Sequence, residues 1–309
     1  MIAWIFPGQG SQFVGMAAGL DSEPAVQTFS RARQILGWDV RATCLTGPED
    51  VLATTETAQP AILAVSVAAA RTLDALGLAP NFVAGHSVGE FAALVAARAV
   101  SFEDALRVVA TRAEAMARAG RERPGSMAAV IGLPLAGVEA ACACSGGVVA
   151  VANVNAPDQI VVSGERAAVE SVAEAARAAG ARRVIPLAVS VAAHSPLMAD
   201  AQPDLRRALD AAAVRTPLVP FASAVTGRFH DDPVQIKSLL VEALTAPVRW
   251  TECVAALANA GASRFVEVGP GRVLAGLVRR TLADAAVLSI GDGASAVRMA
   301  DDVLGSVKG

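Results

Sequence analysis

Blocks of apolar residues closed by glycine-rich or polar turns set the rhythm of the first hundred positions. Ile2-Ala3-Trp4-Ile5-Phe6 is apolar without alternation, and Asn81-Phe82-Val83-Ala84 closes a second such run. Both read as strands buried on two faces. Longer windows carry the helical period instead. Residues 24–37, 60–76 and 90–97 predict helices, the second opening on Pro60, which suits a first helical position. The stretch between the first two reads as a loop. Ser101 before Phe102-Glu103-Asp104 is an N-cap with acids in the first turn. The helix behind it sets Ala105, Val109, Arg112 and Met116 on one face.

After Arg121-Glu122-Arg123-Pro124-Gly125 the texture changes. Strands over 127–132, 148–152, 158–164 and 183–187 alternate with helices over about 135–144 and 165–179. That β-α-β-β-α-β order predicts a ferredoxin-like subdomain over 125–190, inserted into a larger α/β subdomain made of 1–124 and 191–309. The second half of the larger unit is expected to hold a helix over 196–213, a strand over 218–223, a helix over 233–244, one more helix, and the strand Arg264-Phe265-Val266-Glu267-Val268.

Composition narrows the class. The 309 residues are enough for one large domain or two modest ones. Apolar residues make up 54%, yet much of this is alanine, and no run reaches the roughly twenty residues that span a bilayer. Met1 leads straight into the first strand with no basic region, so a signal peptide is not expected. Four cysteines are scattered, and Cys142-x-Cys144 has neither metal nor redox spacing. A reduced, cytoplasmic, metal-free and disulfide-free monomer is the expectation. A net charge of −3 points away from nucleic acid and anionic membranes. The loop Gly8-Gln9-Gly10-Ser11-Gln12-Phe13 places Phe13 where a dinucleotide fingerprint needs glycine, and no acidic residue follows at a suitable strand end, which argues against a dinucleotide site.

Candidate chemistry centres on Gly85-His86-Ser87-Val88-Gly89, between a strand and a helix. A G-x-S-x-G in that context is a nucleophile elbow, a sharp turn that lifts the serine hydroxyl above the sheet at a helix N-terminus. Ser87 is therefore the candidate nucleophile. Of three histidines, His86 adjoins the serine at a sharp turn and points elsewhere, which suits packing. His230 sits in a polar loop. His194 follows the small residues Ala192 and Ala193 at the end of a strand-like run and is favoured as base. No acid stands at a strand end between Ser87 and His194, so the third member is either hidden or uncharged, such as a backbone carbonyl. Arg112 interrupts an apolar stripe. It either snorkels to the rim or holds a carboxylate in two-pronged fashion, and the pattern alone leaves both open.

These stretches, taken in order, resemble the malonyl-CoA:acyl-carrier-protein transacylases, including free-standing polyketide acyltransferases. The matching segments are Phe6-Pro7-Gly8-Gln9-Gly10-Ser11-Gln12, Thr57-Ala58-Gln59-Pro60-Ala61, the elbow with Glu90-Phe91, Arg112 with Met116, Asn153-Val154-Asn155-Ala156-Pro157, His194-Ser195-Pro196-Leu197-Met198, Pro247-Val248-Arg249-Trp250 and Glu267-Val268-Gly269-Pro270-Gly271. The resemblance implies an α/β-hydrolase-like large subdomain with a parallel sheet. It implies an acyl-enzyme on Ser87, proton shuttling by His194, and an oxyanion hole from the backbone N–H groups of Gln9 and Val88. Arg112 would pair with a malonyl carboxylate, with Gln59, Asn155, Met116 and His86 around the substrate. The implied substrates are malonyl-CoA and a phosphopantetheinylated acyl carrier protein, with no further cofactor. A malonate decarboxylase transacylase subunit and a carrier-protein acyl hydrolase are the rival readings, and a non-catalytic carrier-docking protein a third. Two positions depart from the family pattern. Ala243 stands where glutamine is frequent; if that position's backbone carbonyl holds His194 little is lost, and if the side chain is needed activity is in question. Ala193 precedes the histidine and leaves open whether the malonyl group carries a substituent.

Overall fold

The computed structural model describes residues 1–189 and 191–305, with side chains through 301, and its strands form two separate sheets. The strands are β1 (Ile2–Phe6), β2 (Phe82–Gly85), β3 (Gly125–Ile131), β4 (Val149–Ala156), β5 (Gln159–Glu165), β6 (Arg183–Pro186), β7 (Phe221–Ser223), β8 (Arg228–His230), β9 (Arg264–Val268) and β10 (Ala286–Ile290). The fold is mixed α/β. The larger sheet has six strands in the order β10-β9-β1-β2-β7-β8, parallel except for the edge strand β8.

The unbroken apolar run of β1 follows from its central place. Trp4 and Phe6 enter the core on one face, with the helices Thr55–Ala75 and Phe102–Glu122. Ala3 and Ile5 enter a second core on the other face, with the helices Trp250–Asn259 and Val273–Thr281. A strand that feeds two cores cannot alternate apolar with polar.

The smaller sheet is antiparallel throughout, in the order β4-β5-β3-β6. Its two helices, Leu135–Ala143 and Arg166–Ala178, cover one face through Val138, Val169 and Val172. On the other face Met127, Ala129, Ala152 and Val161 pack with Leu187, Val189 and Ala193. The two sheets are stitched together where Val248 meets β4. The Val248 N–H donates to the Ala152 carbonyl at 2.8 Å, and the Val154 N–H to the Val248 carbonyl at 2.8 Å. The Thr251 hydroxyl adds a bond to the Val154 carbonyl at 3.0 Å.

Several expectations shift. The helix expected from Pro60 starts at Thr55 and carries Pro60 in its interior. One backbone bond is forfeited there, and burial of Thr55, Ala58 and Gln59 outweighs it. The expected loop between the first two helices contains Val40–Thr46, capped by Asp39, and Glu49–Ala53. The single helix expected over 196–213 is a 3-10 turn, Pro196–Ala201, followed by the α-helix Gln202–Ala211. The strand expected from 218 begins at Phe221, and His230 lies in β8 rather than in a loop. The expected subdomain boundary at Ser190, and the end of the chain over 306–309, lie outside the described residues.

Candidate active site

The elbow after β2 is sterically determined. Ser87 has φ of 55°, in the left-handed region that a side chain adopts only when its surroundings hold it there. A Cβ on Gly85 would lie 2.0 Å from the Gly89 carbonyl carbon, and one on Gly89 would lie 2.2 Å from the Phe6 carbonyl oxygen. The glycines are therefore needed for close backbone approach. Gly8 meets the same demand from the other side, because its Cβ would come within 2.5 Å of the His86 carbonyl oxygen. The loop after β1 is thus pressed against the elbow. The helix Gly89–Ala96 follows directly, and Val88 is its N-cap. Among the described residues no protein acceptor takes the N–H of Val88 or of Gln9.

His194 reaches this turn from 107 positions away, with Nε2 at 2.9 Å from Ser87 Oγ. Its own φ is 58°, so both partners sit on left-handed backbone. On the other side of the ring, Nδ1 lies 2.7 Å from the Ala243 carbonyl oxygen and 3.2 Å from that of Ala246. Carbonyl oxygens only accept, so Nδ1 carries the proton and Nε2 presents its lone pair to the serine hydroxyl. The third member is therefore two backbone carbonyls and not a carboxylate. Burial first, then the charge of Arg112 and the neighbouring His86, push the His194 pKa from 6.5 down to about 3, against the two carbonyls. At neutral pH it is an uncharged base.

Arg112 is only 2% exposed and does not snorkel to the rim. One guanidinium nitrogen donates to Ser87 Oγ at 3.1 Å and another to Gln59 Oε1. Burial lowers its pKa to about 10, with Glu90 opposing, and it stays charged at neutral pH. Gln59 passes the contact on. Its Nε2 donates to Gln9 Oε1 at 3.2 Å and lies 3.5 Å from Met116 Sδ. Gln9 Nε2 in turn donates to Thr55 Oγ1 at 3.2 Å. His86 turns away from the serine. Its Nε2 is 2.9 Å from Asn155 Oδ1 on β4, and its ring lies 5.6 Å from that of Trp250. Burial holds its pKa below the usual value, so it too is neutral.

Every candidate from the sequence except His230 falls in this one cluster. The His230 ring nitrogens are engaged by Thr226 Oγ1 at 2.7 Å and Gln235 Oε1 at 3.0 Å. A cavity of about 250 Å³ opens over Ser87 and His194 between the two sheets. Gln9, Gln59, His86 and Asn155 give its polar wall. Met127, Val161, Leu187 and Val189 from the smaller sheet and its exit give the apolar one, with Leu274 and Leu277. No group of three His, Cys, Asp or Glu side chains that could hold a metal exists among the described residues.

Two buried acids near the site stand in segments that carry the family resemblance, yet the sequence pattern gives neither of them a role. Glu90, one residue past the elbow, accepts from the Ser223 hydroxyl at 2.9 Å and the Ala224 N–H at 2.9 Å. Glu267, at the end of β9, accepts from the N–H groups of Leu274 at 3.0 Å and Ala275 at 2.9 Å, capping the helix whose leucines wall the cavity.

A family model described as an acyl transferase domain matches residues 3–304. A malonyl CoA-acyl carrier protein transacylase of Haemophilus influenzae is 41% identical over 299 residues, 95% of this chain and 96% of that one. The protein of the same name from Escherichia coli strain K12 is 43% identical over 283 residues, 90% and 92% of the two chains. Among solved structures, the malonyl CoA-acyl carrier protein transacylase from Coxiella burnetii superposes with a TM-score of 0.94 at 36% identity, covering 97% of this chain and 96% of that one. A malonyl-transacylase solved in complex with its type II PKS acyl-carrier protein gives 0.94 at 39% identity, covering 97% and 99%.

Proposed function

The chain belongs to the acyl transferase domain family, and we propose that it moves a malonyl group from coenzyme A to the phosphopantetheine thiol of an acyl carrier protein through an acyl-enzyme on Ser87. The observation that carries this is the oxygen of Ser87, which lies 2.9 Å from a neutral imidazole and 3.1 Å from a buried guanidinium. The first makes a nucleophile, and the second selects acyl groups ending in a carboxylate.

In the first half-reaction Ser87 Oγ forms a bond to the thioester carbonyl carbon while its proton passes to His194 Nε2. The tetrahedral intermediate collapses by breaking the carbon–sulfur bond, and His194 returns the proton to the departing CoA sulfur. The N–H groups of Gln9 and Val88 face the developing oxyanion. Such donors are typically worth about 3 kcal/mol each in the transition state. The imidazolium is stabilised by the carbonyls of Ala243 and Ala246, so no carboxylate is required. In the second half the carrier's thiol gives its proton to His194 and its sulfur attacks the ester carbon; the bond from that carbon to Ser87 Oγ then breaks, and His194 Nε2 returns the proton to the serine oxygen.

Malonyl-CoA and acyl carrier protein stand in the names of the relatives, and the carboxylate preference rests on Arg112. We read residues 1–124 and 191–309 as an α/β-hydrolase-like subdomain and 125–190 as a ferredoxin-like insert, a reading supported by the sheet orders. Action in the cytoplasm as a monomer completes it. Among the described residues no helix is long and apolar enough to cross a membrane.

Intact-protein mass spectrometry after mixing with malonyl-CoA tests the proposal. A malonyl adduct is expected on the wild type, none on Ser87→Ala, and about a hundredfold less on Arg112→Ala, the loss of a charge-assisted pair. An adduct of undiminished size on Arg112→Ala overturns the assigned selectivity. Free malonate released faster than a carrier protein is loaded would favour hydrolysis instead.

A further inference from the structure

A guanidinium that only recognised a carboxylate could stand well clear of the nucleophile. Here it does not. Ser87 Oγ is shared between two partners, giving its proton to His194 Nε2 and receiving an N–H from Arg112 at 3.1 Å. Both sit on the oxygen whose lone pair has to attack. A cation donating to that oxygen draws electron density from it and stands close to the path of the incoming carbonyl. The same charge acts on the base, because Arg112 is the second cause, after burial, of the low His194 pKa.

We propose that Arg112 holds the Ser87–His194 pair in check, and that the carboxylate of the arriving acyl group releases it by drawing the guanidinium off the serine oxygen. The proposal rests on the malonyl-transfer reading above and deepens it, since it turns selectivity into a property of the chemical step. A carboxylate two atoms from the thioester carbonyl competes for the same N–H groups and offers charge where Ser87 offers a neutral oxygen. Charge-assisted bonds of this kind are the stronger ones. With the guanidinium neutralised, the serine lone pair is free and the imidazole regains basicity. The covalent step is unchanged. The Oγ–C bond forms, the C–S bond breaks, and the proton travels through Nε2 to the leaving sulfur. An acetyl group brings the same thioester and no carboxylate, so it meets a covered nucleophile even at saturation.

Gln59 makes this testable. Its Oε1 already accepts from Arg112, so a carboxylate at this position would take the guanidinium permanently. The measurement is the saturating rate of Ser87 acylation by acetyl-CoA and by malonyl-CoA, followed by quenched mass spectrometry on the full chain. Gln59→Glu is expected to raise acetylation by about tenfold and to lower malonylation, whereas Gln59→Met, which supplies no charge, raises neither. As a second arm on the wild type, formate supplied with acetyl-CoA presents the two halves of a malonyl group separately. Acetylation is expected to rise with formate concentration and then saturate.

If malonyl-CoA acylates the wild type but acetylation is unmoved by formate, the release mechanism is overturned and the malonyl-transfer reading stands. Acetylation raised equally by Gln59→Met and Gln59→Glu overturns it too, because charge would then be irrelevant. Failure of malonyl-CoA to acylate the wild type at all strikes the functional reading itself.

Discussion

At the scale of single residues, the orientation of His194 depends on carbonyl oxygens, which every residue type supplies. Ala243 contributes through its backbone, so Ala243→Gln is expected to change the steady-state acyl transfer rate less than about twofold, well under the effect of one net hydrogen bond. A tenfold change would mean that the side chain at this position works in the reaction. Glu90 offers a pH test. Burial raises its carboxyl from 4.5 to about 7, against the Ala224 N–H, the Ser223 hydroxyl and the charge of Arg112. A folded-state pKa above the unfolded one means that folding takes up a proton in that window. The stability tied to it is full below pH 4.5 and is lost as pH rises through about 7. Glu90→Gln keeps an oxygen for both donors and cannot ionise. Denaturant unfolding should show the wild type losing about 3 kcal/mol relative to this variant between about pH 4.5 and pH 8. Parallel curves would mean that another group titrates there. Ser87 was legible in the sequence because its signature is local, five residues between a strand and a helix. The clamp on His194 was legible from the missing acid only as one of two alternatives, a hidden acid or a backbone carbonyl, since a carbonyl leaves no mark on residue identity.

At the scale of elements, the elbow is a junction of three backbones, with the ends of β1 and β2 and the start of the helix Gly89–Ala96 within touching distance. A methyl on Gly89 would meet the Phe6 oxygen at 2.2 Å and the Pro7 oxygen at 2.8 Å, and neither atom belongs to a flexible side chain. Gly89→Ala is therefore expected to cost more than about 3 kcal/mol, read as a lowered urea midpoint or loss of soluble protein. Gly276→Ala is the control. That position lies inside the helix Val273–Thr281 with nothing within 4 Å of the added carbon, and should be neutral or stabilising by up to about 1 kcal/mol. Equal losses in the two variants would show that general helix effects, and not the junction, set the cost. The long helices Glu23–Leu36, Phe102–Glu122 and Arg166–Ala178 could be read from their period, whereas Gly293–Gly305 was not read at all. The helices Val40–Thr46 and Glu49–Ala53 could not, because seven and five residues hold too few turns for a periodic signal. Pro60 misled for a different reason. Its ring disfavours a helix interior, but the packing of the segment before it is a tertiary fact that propensity cannot anticipate.

At the scale of the molecule, the site belongs to neither sheet alone. The larger sheet carries Ser87, and the smaller one supplies one cavity wall and Asn155, whose Oδ1 takes the His86 Nε2–H at 2.9 Å. His86 is the residue before the nucleophile, so this bond ties β4 to the elbow directly. Other stitches, from Val248 and Thr251 to β4, lie on the chain that also presents the Ala243 and Ala246 carbonyls to His194. The smaller sheet is thus attached to both halves of the Ser87–His194 pair, one link reaching the turn that carries the serine and the other the segment that orients the base. Asn155→Ala cuts the first link only. It leaves a buried imidazole N–H without its acceptor, which costs about 1–3 kcal/mol, and frees His86 to move beside Ser87. Acylation by malonyl-CoA should then fall about tenfold while the Val248 stitches keep the protein folded. Unchanged acylation together with an unchanged urea midpoint would mean that the elbow holds its shape without the smaller sheet.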